Sequence, residues 1–190
     1  MAAIARRNLA DYPNVQIAET TFEKWPGQDP PFDLIFCAQA WHWVDPNSWK
    51  ARIPALLGAH GALAVFWNSA KEVFHEGQAA YAKHAPENFT DRGLVPSFEE
   101  TVEEMATPLR EIFGDVEVTR WPWSRRYTPE EYIALVATYS DHSTVPEPQR
   151  TRLYNALADT VRDMGGIVER EYEAVLIMAA SAASNAGGRT

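Results

Sequence analysis

Cysteine is nearly absent: Cys37 is the one cysteine in 190 residues. No disulfide framework can be drawn from a single thiol, and a reducing, cytoplasmic setting is the expectation. Basic charge is also short, with 17 Lys and Arg against 26 Asp and Glu and a formal net charge of −9. Duplex nucleic acid is therefore not an expected partner, because release of condensed counterions needs a basic surface. Long apolar runs are missing too. None approaches the roughly 18 residues of a membrane span. Arg6-Arg7 is followed by no apolar segment, so the first residues do not read as a signal peptide, and no membrane partner is expected. The five histidines (42, 60, 75, 84 and 142) fall at no ligand spacing, and with one cysteine no metal site is expected. No internal repeat or low-complexity stretch occurs.

What is present is an ordinary globular composition, 46% hydrophobic and 23% charged, enriched in Trp, Tyr and Phe. Its length suits a single domain over 1–190. The most informative stretch is Phe32 to Pro46. Asp33 opens an apolar block, Leu34-Ile35-Phe36-Cys37-Ala38, which gives way to Gln39-Ala40-Trp41-His42-Trp43. An apolar run without alternation predicts a strand buried on both faces of a helix-covered sheet. Ligands bind beyond the carboxyl ends of such strands, which places Gln39 to Trp43 at a site.

The rest of the chain falls into elements around that strand. Met1 to Ala10 predicts a short helix halted before Pro13. Val15 to Ala18 predicts a short strand and Glu19 to Pro31 a loop. Asp45-Pro46 predicts a helix start, with Asp45 as cap and Pro46 in the first turn. Pro54 is expected to kink or shorten that helix, and Gly58 and Gly61 to bracket its end before a second buried strand, Ala62 to Trp67. Helices are expected over Glu72–His84 and Ser97–Phe113, joined by a loop with Pro86, Gly93 and Pro96. Asp115 to Trp123 alternates like a strand near an edge. Thr128-Pro129-Glu130-Glu131 is a capping box for a helix through Ile133, Val136 and Ala137. Pro148 to Met164 predicts another helix, stopped by Gly165-Gly166. Tyr172 to Met178 is the last strand, and 181–190 a flexible tail. Two strand–helix–strand units in succession make a doubly wound α/β sheet the expected fold.

Several motifs read as structure. Asp141-His142-Ser143 has the residue types of a hydrolase triad, but adjacent residues cannot converge on one point and no nucleophile elbow is present, so a turn is expected. Trp121 to Arg126 mixes bases with aromatics as single-strand binders do. Against −9 overall, an edge strand with a basic end is the better reading.

Together the segments TTFEKWPGQDPPFDLIFCAQAWHWVDP, LLGAHGALAVFWN and TPEEYIALVATYSDHS…GGIVEREYEAVLIMAA resemble class I S-adenosylmethionine-dependent methyltransferases. They are most similar to a small-molecule branch (type 11-like) whose fourth strand ends in Ala-Gln-Ala-aromatic-His-Trp. The resemblance implies a Rossmann-like, mostly parallel sheet with an antiparallel last strand. It matches the family's third to seventh strands only, about five strands. The glycine-rich cofactor motif of the first strand has no counterpart, so the expectation is a domain truncated at its N-terminus, with a helical lid or insert around 69–113. The resemblance implies S-adenosylmethionine as cofactor, with Thr21 and Phe22 flanking the adenine and Cys37, Ala38 and Gln39 facing the methionine portion. It places a small organic methyl acceptor near Trp41, Trp67 and Tyr139, with His42 the candidate general base. A packed structural role for Phe22, Trp25 and His42 is the competing reading.

Three functional expectations remain open from sequence. One is methyl transfer to a small organic acceptor. A second is a non-catalytic, methyltransferase-like remnant acting through protein–protein association. The third is a natural chain that begins upstream of Met1. Without neighbours on one side, the Phe32 strand should present a bare edge, covered either by Val15–Ala18 or by a second copy in a homo-oligomer.

Overall fold

A computed structural model describes residues 2–27, 31–89 and 98–181, and the statements below concern those residues. Four strands form one sheet: β1 (Phe32–Ala38), β2 (Leu57–Ala70), β3 (Val116–Tyr127) and β4 (Val168–Ala180). Their spatial order is β1-β2-β4-β3. β1 runs parallel to β2, and β4 lies antiparallel to both β2 and β3. The expected α/β sheet with an antiparallel last strand is thus present, with four strands where about five were expected. β3 is an edge strand, as its alternation suggests.

The helices are α1 (Ala2–Asn8), α2 (Pro46–Leu56), α3 (Gln78–His84), α4 (Pro86–Phe89), α5 (Phe98–Phe113), α6 (Pro129–Val136), α7 (Ser140–Ser143) and α8 (Gln149–Asp163). The sequence signals at their ends act as expected. Asp45 caps α2 by accepting the Ser48 amide at 2.7 Å. Thr128 and Glu131 complete the capping box of α6, with bonds of 3.3 and 3.0 Å. Gly165 and Gly166, both at positive φ, end the passage from α8 to β4. Pro54 sits in the last turn of α2 and does not break it. α7 is the turn expected at Asp141-His142-Ser143. Asp141 accepts its neighbour's amide and Ser143 donates to a backbone carbonyl, so neither points at a shared reaction centre.

Alternation along the strands sends side chains to two faces, and each face has its own core. On one face Leu63 and Val65 of β2 and Val175, Ile177 and Ala179 of β4 pack against Trp49 and Ile53 of α2 and Val102, Ala106, Leu109 and Phe113 of α5. At the far end of the opposite face, Tyr127, Val168 and Tyr172 pack against Ala80 of α3, Tyr132 and Val136 of α6, and Leu153, Leu157 and Val161 of α8. The region 69–113 is therefore divided. α3 joins the second core and α5 the first.

Two expectations about β1 need correcting. It is not buried on both faces. Ile35 packs on the first core, but Leu34 is 51% and Phe36 64% exposed. Phe36 stacks on Phe66 of β2 (ring centroids 6.1 Å), and Trp121 of β3 is exposed on the same face. α2 and α5 lie only on the other side, and among the described residues nothing covers this one beside β1. Nor does Val15–Ala18 form a strand along the β1 edge; it is irregular and largely exposed. A single short segment without a ladder partner cannot satisfy its backbone in a sheet. The 182–190 part of the expected tail and the Gly93–Pro96 part of the expected loop lie outside the described residues.

Gly58 and Gly61 were expected to close α2; they lie instead at the irregular start of β2. The register jumps from Phe32↔Leu57 to Leu34↔Ala62, and Gly61 fits beneath the Phe32 carbonyl. A Cβ at position 61 would stand 2.6 Å from that oxygen. Gly61→Ala should therefore push β1 from β2 and lower stability by about 1–3 kcal/mol, the usual overpacking cost, measured by urea unfolding. Gly114→Ala is the control: its Cβ would meet nothing within 4 Å, leaving only the positive φ as strain.

Candidate functional site

β1 and β2 run parallel, so their carboxyl ends lie together, and a cavity of about 780 Å³ opens there. β1 stops at Ala38 because Gln39 turns the chain away at a φ of +56°. That conformation is costly for a residue with a side chain, and hydrogen bonds hold it. The Gln39 amide nitrogen donates to the Asn68 carbonyl (3.2 Å), and its Oε1 accepts the Asn68 amide (2.9 Å). The Gln39 backbone N–H donates to the Phe66 carbonyl at 3.0 Å. The side chain thus extends the β1–β2 ladder after the backbone has left it. Asn68 is fixed in turn by its Oδ1, which accepts from Trp123 Nε1 at 2.7 Å, and Trp123 stacks on Tyr172 at 4.4 Å.

Beyond Gln39 the chain forms a 3₁₀ turn, Trp41–Trp43, not a continued strand. Trp41 turns inward and meets Trp49 of α2 at 5.0 Å, while Trp43 points out, 74% exposed. His42 is exposed at the cavity mouth with its ring 4.8 Å from Trp43. Trp67 of β2, Val44 and the Met105 and Pro108 side chains of α5 complete an apolar wall. Lys50 and Glu104 bring charge to the lining.

Of the residues singled out from sequence, Gln39, Trp41, His42 and Trp67 come together around this cavity. The others do not. Tyr139 lies at the second core, its ring 5.9 Å from His142. Cys37 faces inward beneath the cavity, and burial pushes its thiol up from the ordinary value. With Gln39 bonded to β2, alternation turns the backbone of Ala38 toward the open edge of β1. Thr21 and Phe22 belong to a loop clamped by Arg52, which donates to the carbonyls of Phe22, Glu23 and Trp25. The guanidinium lies 4.9 Å over the Phe22 ring, and that ring also packs on the first core, so it does not stand free to flank an adenine. Glu23 of this loop is held below the ordinary carboxylate range by its own backbone amide, that of Asp45 and the Thr21 hydroxyl. Of the residues named for a cofactor, Gln39 at the cavity and the Ala38 backbone at the β1 edge therefore remain where its methionine end could lie. The described residues supply no glycine-rich turn to face it.

Sequence reasoning missed Trp49, Met105, Pro108 and Asn68. Asn68 was the most accessible of these, since it is the polar residue at the carboxyl end of β2 just as Gln39 is for β1. The α5 residues carry no local mark of facing the cavity.

The Gln39 arrangement gives a direct test. Gln39→Ala removes both amide bonds and keeps a Cβ at positive φ, whereas Gln39→Gly removes the bonds and relieves the backbone. Gln39→Gly should be the more stable of the two by about 1 kcal/mol, measured by denaturant titration.

No family model matches the chain. It is 30% identical over 132 residues to uncharacterised methyltransferases of Mycobacterium tuberculosis and Mycobacterium bovis, a match covering 70% of this chain and 49% of those proteins. An uncharacterised methyltransferase-like protein of Schizosaccharomyces pombe is 24% identical over 159 residues, covering 80% of this chain and 57% of that one. The chain spans about half the length of the curated relatives it matches. Among solved structures, a protein described as a type II methyltransferase from Anaeromyxobacter dehalogenans aligns with a TM-score of 0.55 and 18% identity, over 90% of this chain and 72% of that one. The YcgJ protein of Bacillus subtilis aligns with a TM-score of 0.53 and 16% identity, over 95% and 78%. The methyltransferase-like fold expected from the sequence is the fold observed.

Proposed function

We propose that this chain, methyltransferase-like in sequence and in fold, contributes the acceptor side of a site for S-adenosylmethionine-dependent methyl transfer to a small organic molecule. The observation that carries the reading is the cavity at the carboxyl ends of β1 and β2, where open α/β sheets bind their ligands. When bound, the cofactor supplies an electrophilic methyl group on a sulfonium. Its methionine end would be held along the edge of β1 at Ala38.

The chain's own residues align the acceptor and exclude water, which is most of what an in-line displacement asks of a protein. Trp41, Trp49 and Trp67 wall the acceptor, and α5 closes the cavity with Met105 and Pro108. Gln39, locked to Asn68, holds the turn that carries Trp41 and His42. His42, exposed at the mouth, is placed to accept a proton from an acceptor hydroxyl or amine. No helix among the described residues is long and apolar enough to cross a membrane.

Calorimetric titration of the chain with S-adenosylmethionine tests the reading. Binding in the micromolar range is the expected result, and no heat in a folded sample would overturn it. The β1 edge, unpaired among the described residues, and the exposed Leu34 and Phe36 favour a second reading, a non-catalytic chain acting by association. Light scattering that shows a dimer, in a chain that gives no heat with cofactor, would select it.

A further inference from the structure

Charge enters the cavity lining from two helices, Lys50 from α2 and Glu104 from α5. On α5 the lining residues Thr101, Glu104, Met105 and Pro108 follow the i, i+3, i+4, i+7 spacing of one helix face. The two charges are not equivalent. Lys50 lies 4.0 Å from a Glu111 oxygen and 5.8 Å over the Trp49 ring, so its charge is met from within the chain. Other acids of α5 are engaged as well: Glu99 accepts from Arg120, and Glu103 from Thr107 and Arg110. Glu104 has neither an ion pair nor a side-chain hydrogen bond among the described residues. With Lys50 set against Glu111, the cavity keeps one surplus negative charge, in a chain of formal net charge −9.

The uncharged polar lining does not choose a sign. The Gln39 amide is bonded to the Asn68 backbone, and the Asn68 side-chain oxygen accepts from Trp123. Ser69, Thr101 and His42 carry groups that both donate and accept, so they serve an ammonium, a hydroxyl or a carboxylate alike. The indoles do choose. The face of an indole ring is negative and attracts cations. Trp41, Trp49 and Trp67 all line the cavity. Trp41 and Trp49 meet at 44°, tilted and not stacked flat, and the Lys50 ammonium over Trp49 shows one of these faces already serving a cation.

We infer that the cavity takes an organic cation, an amine on an apolar body, with its ammonium drawn to Glu104 and its body against the indoles. The inference rests on the reading of this cavity as the acceptor site and names the acceptor as an amine. For transfer the ammonium first releases a proton to His42 at the mouth. The freed nitrogen lone pair then forms the bond to the methyl carbon, while the electron pair of the broken carbon–sulfur bond stays on sulfur.

The test needs no cofactor. Phenethylamine, 2-phenylethanol and 3-phenylpropionate have similar outlines and at neutral pH carry a positive charge, none and a negative charge. Their binding to the intact chain would be followed by tryptophan fluorescence. Phenethylamine should bind about tenfold more tightly than 2-phenylethanol, the value of one charge-assisted contact, and 3-phenylpropionate least tightly of the three. Glu104 is exposed, so Glu104→Gln should fold as the wild type does. In that variant the advantage of the amine should shrink to about threefold, the share owed to the indoles, with alcohol binding unchanged. Lys50→Met should keep or enlarge the preference for the amine. Equal binding of amine and alcohol by the wild-type chain, or no binding of the amine, would overturn the inference. Tightest binding of 3-phenylpropionate would also overturn it and assign the cavity to anions through Lys50. An amine preference untouched by Glu104→Gln would overturn the role of Glu104. Amine binding in a chain that gives no heat with S-adenosylmethionine keeps this inference and sinks methyl transfer. Cofactor binding without an amine preference does the reverse.

Discussion

Replacing Trp49 with alanine is expected to destabilise the chain by about 3–5 kcal/mol, the range for truncating a large buried aromatic, and to remove the cavity as a binding site. Trp49 is 3% exposed and belongs to both the first core and the cavity wall. On one side it packs in the core that joins α2, α5 and the β2–β4 pair. On the other it forms cavity wall and supports Trp41. Truncation leaves a void that α2 cannot close, because Asp45 and Pro46 fix its start. Trp49→Phe should recover much of the stability while leaving a weaker wall. Urea unfolding measures the first effect and calorimetric titration with S-adenosylmethionine the second. If Trp49→Ala lost stability yet kept full cofactor binding, the assignment of the cavity would fall.

Leu157→Ala is expected to cost about 3–5 kcal/mol as well, but with a different signature. Leu157 is fully buried in the second core, and its side chain lies where a Cβ on Gly77 would be, 2.9 Å away. That core joins α3, α6 and α8 to the far ends of β3 and β4 and contributes no residue to the cavity lining. Stability should fall while cofactor binding, measured well below the unfolding midpoint, stays as in the wild type. Because the two residues share no cluster, the double variant should lose close to the sum of the single effects, up to the total stability available. A markedly smaller sum would mean that the two cores act as one unit.

Much of the molecule was legible in the sequence where the signal is local. The caps at Asp45 and Thr128, the glycine stop at Gly165-Gly166, and the apolar runs of β1, β2 and β4 specify their elements through neighbours a few residues away. The cavity lining was legible at Gln39 to His42 and at Trp67 because polar or aromatic residues there end apolar strands. Tyr139 and Phe22 were misplaced for the opposite reason. Their surroundings, His142 for one and Arg52 for the other, lie far from the cavity or come from distant parts of the chain.

The apolar run of β1 shows the boundary most clearly. The amino-acid pattern alone makes Phe32 to Ala38 a strand, because the apolar run is too short for a helix and follows a proline-rich turn. It also determined the class of fold, since strand and helix signals alternate along the chain. Whether that strand is central or at an edge depends on which other segments pair with it. In the folded chain β2 alone does so among the described residues, leaving Leu34 and Phe36 exposed. Likewise the wall that α5 lends to the cavity, and the lock between Gln39 and Asn68, arise from packing between segments about 30 or more residues apart. No local rule carries that information, because the energy involved belongs to contacts that exist only once the sheet has formed.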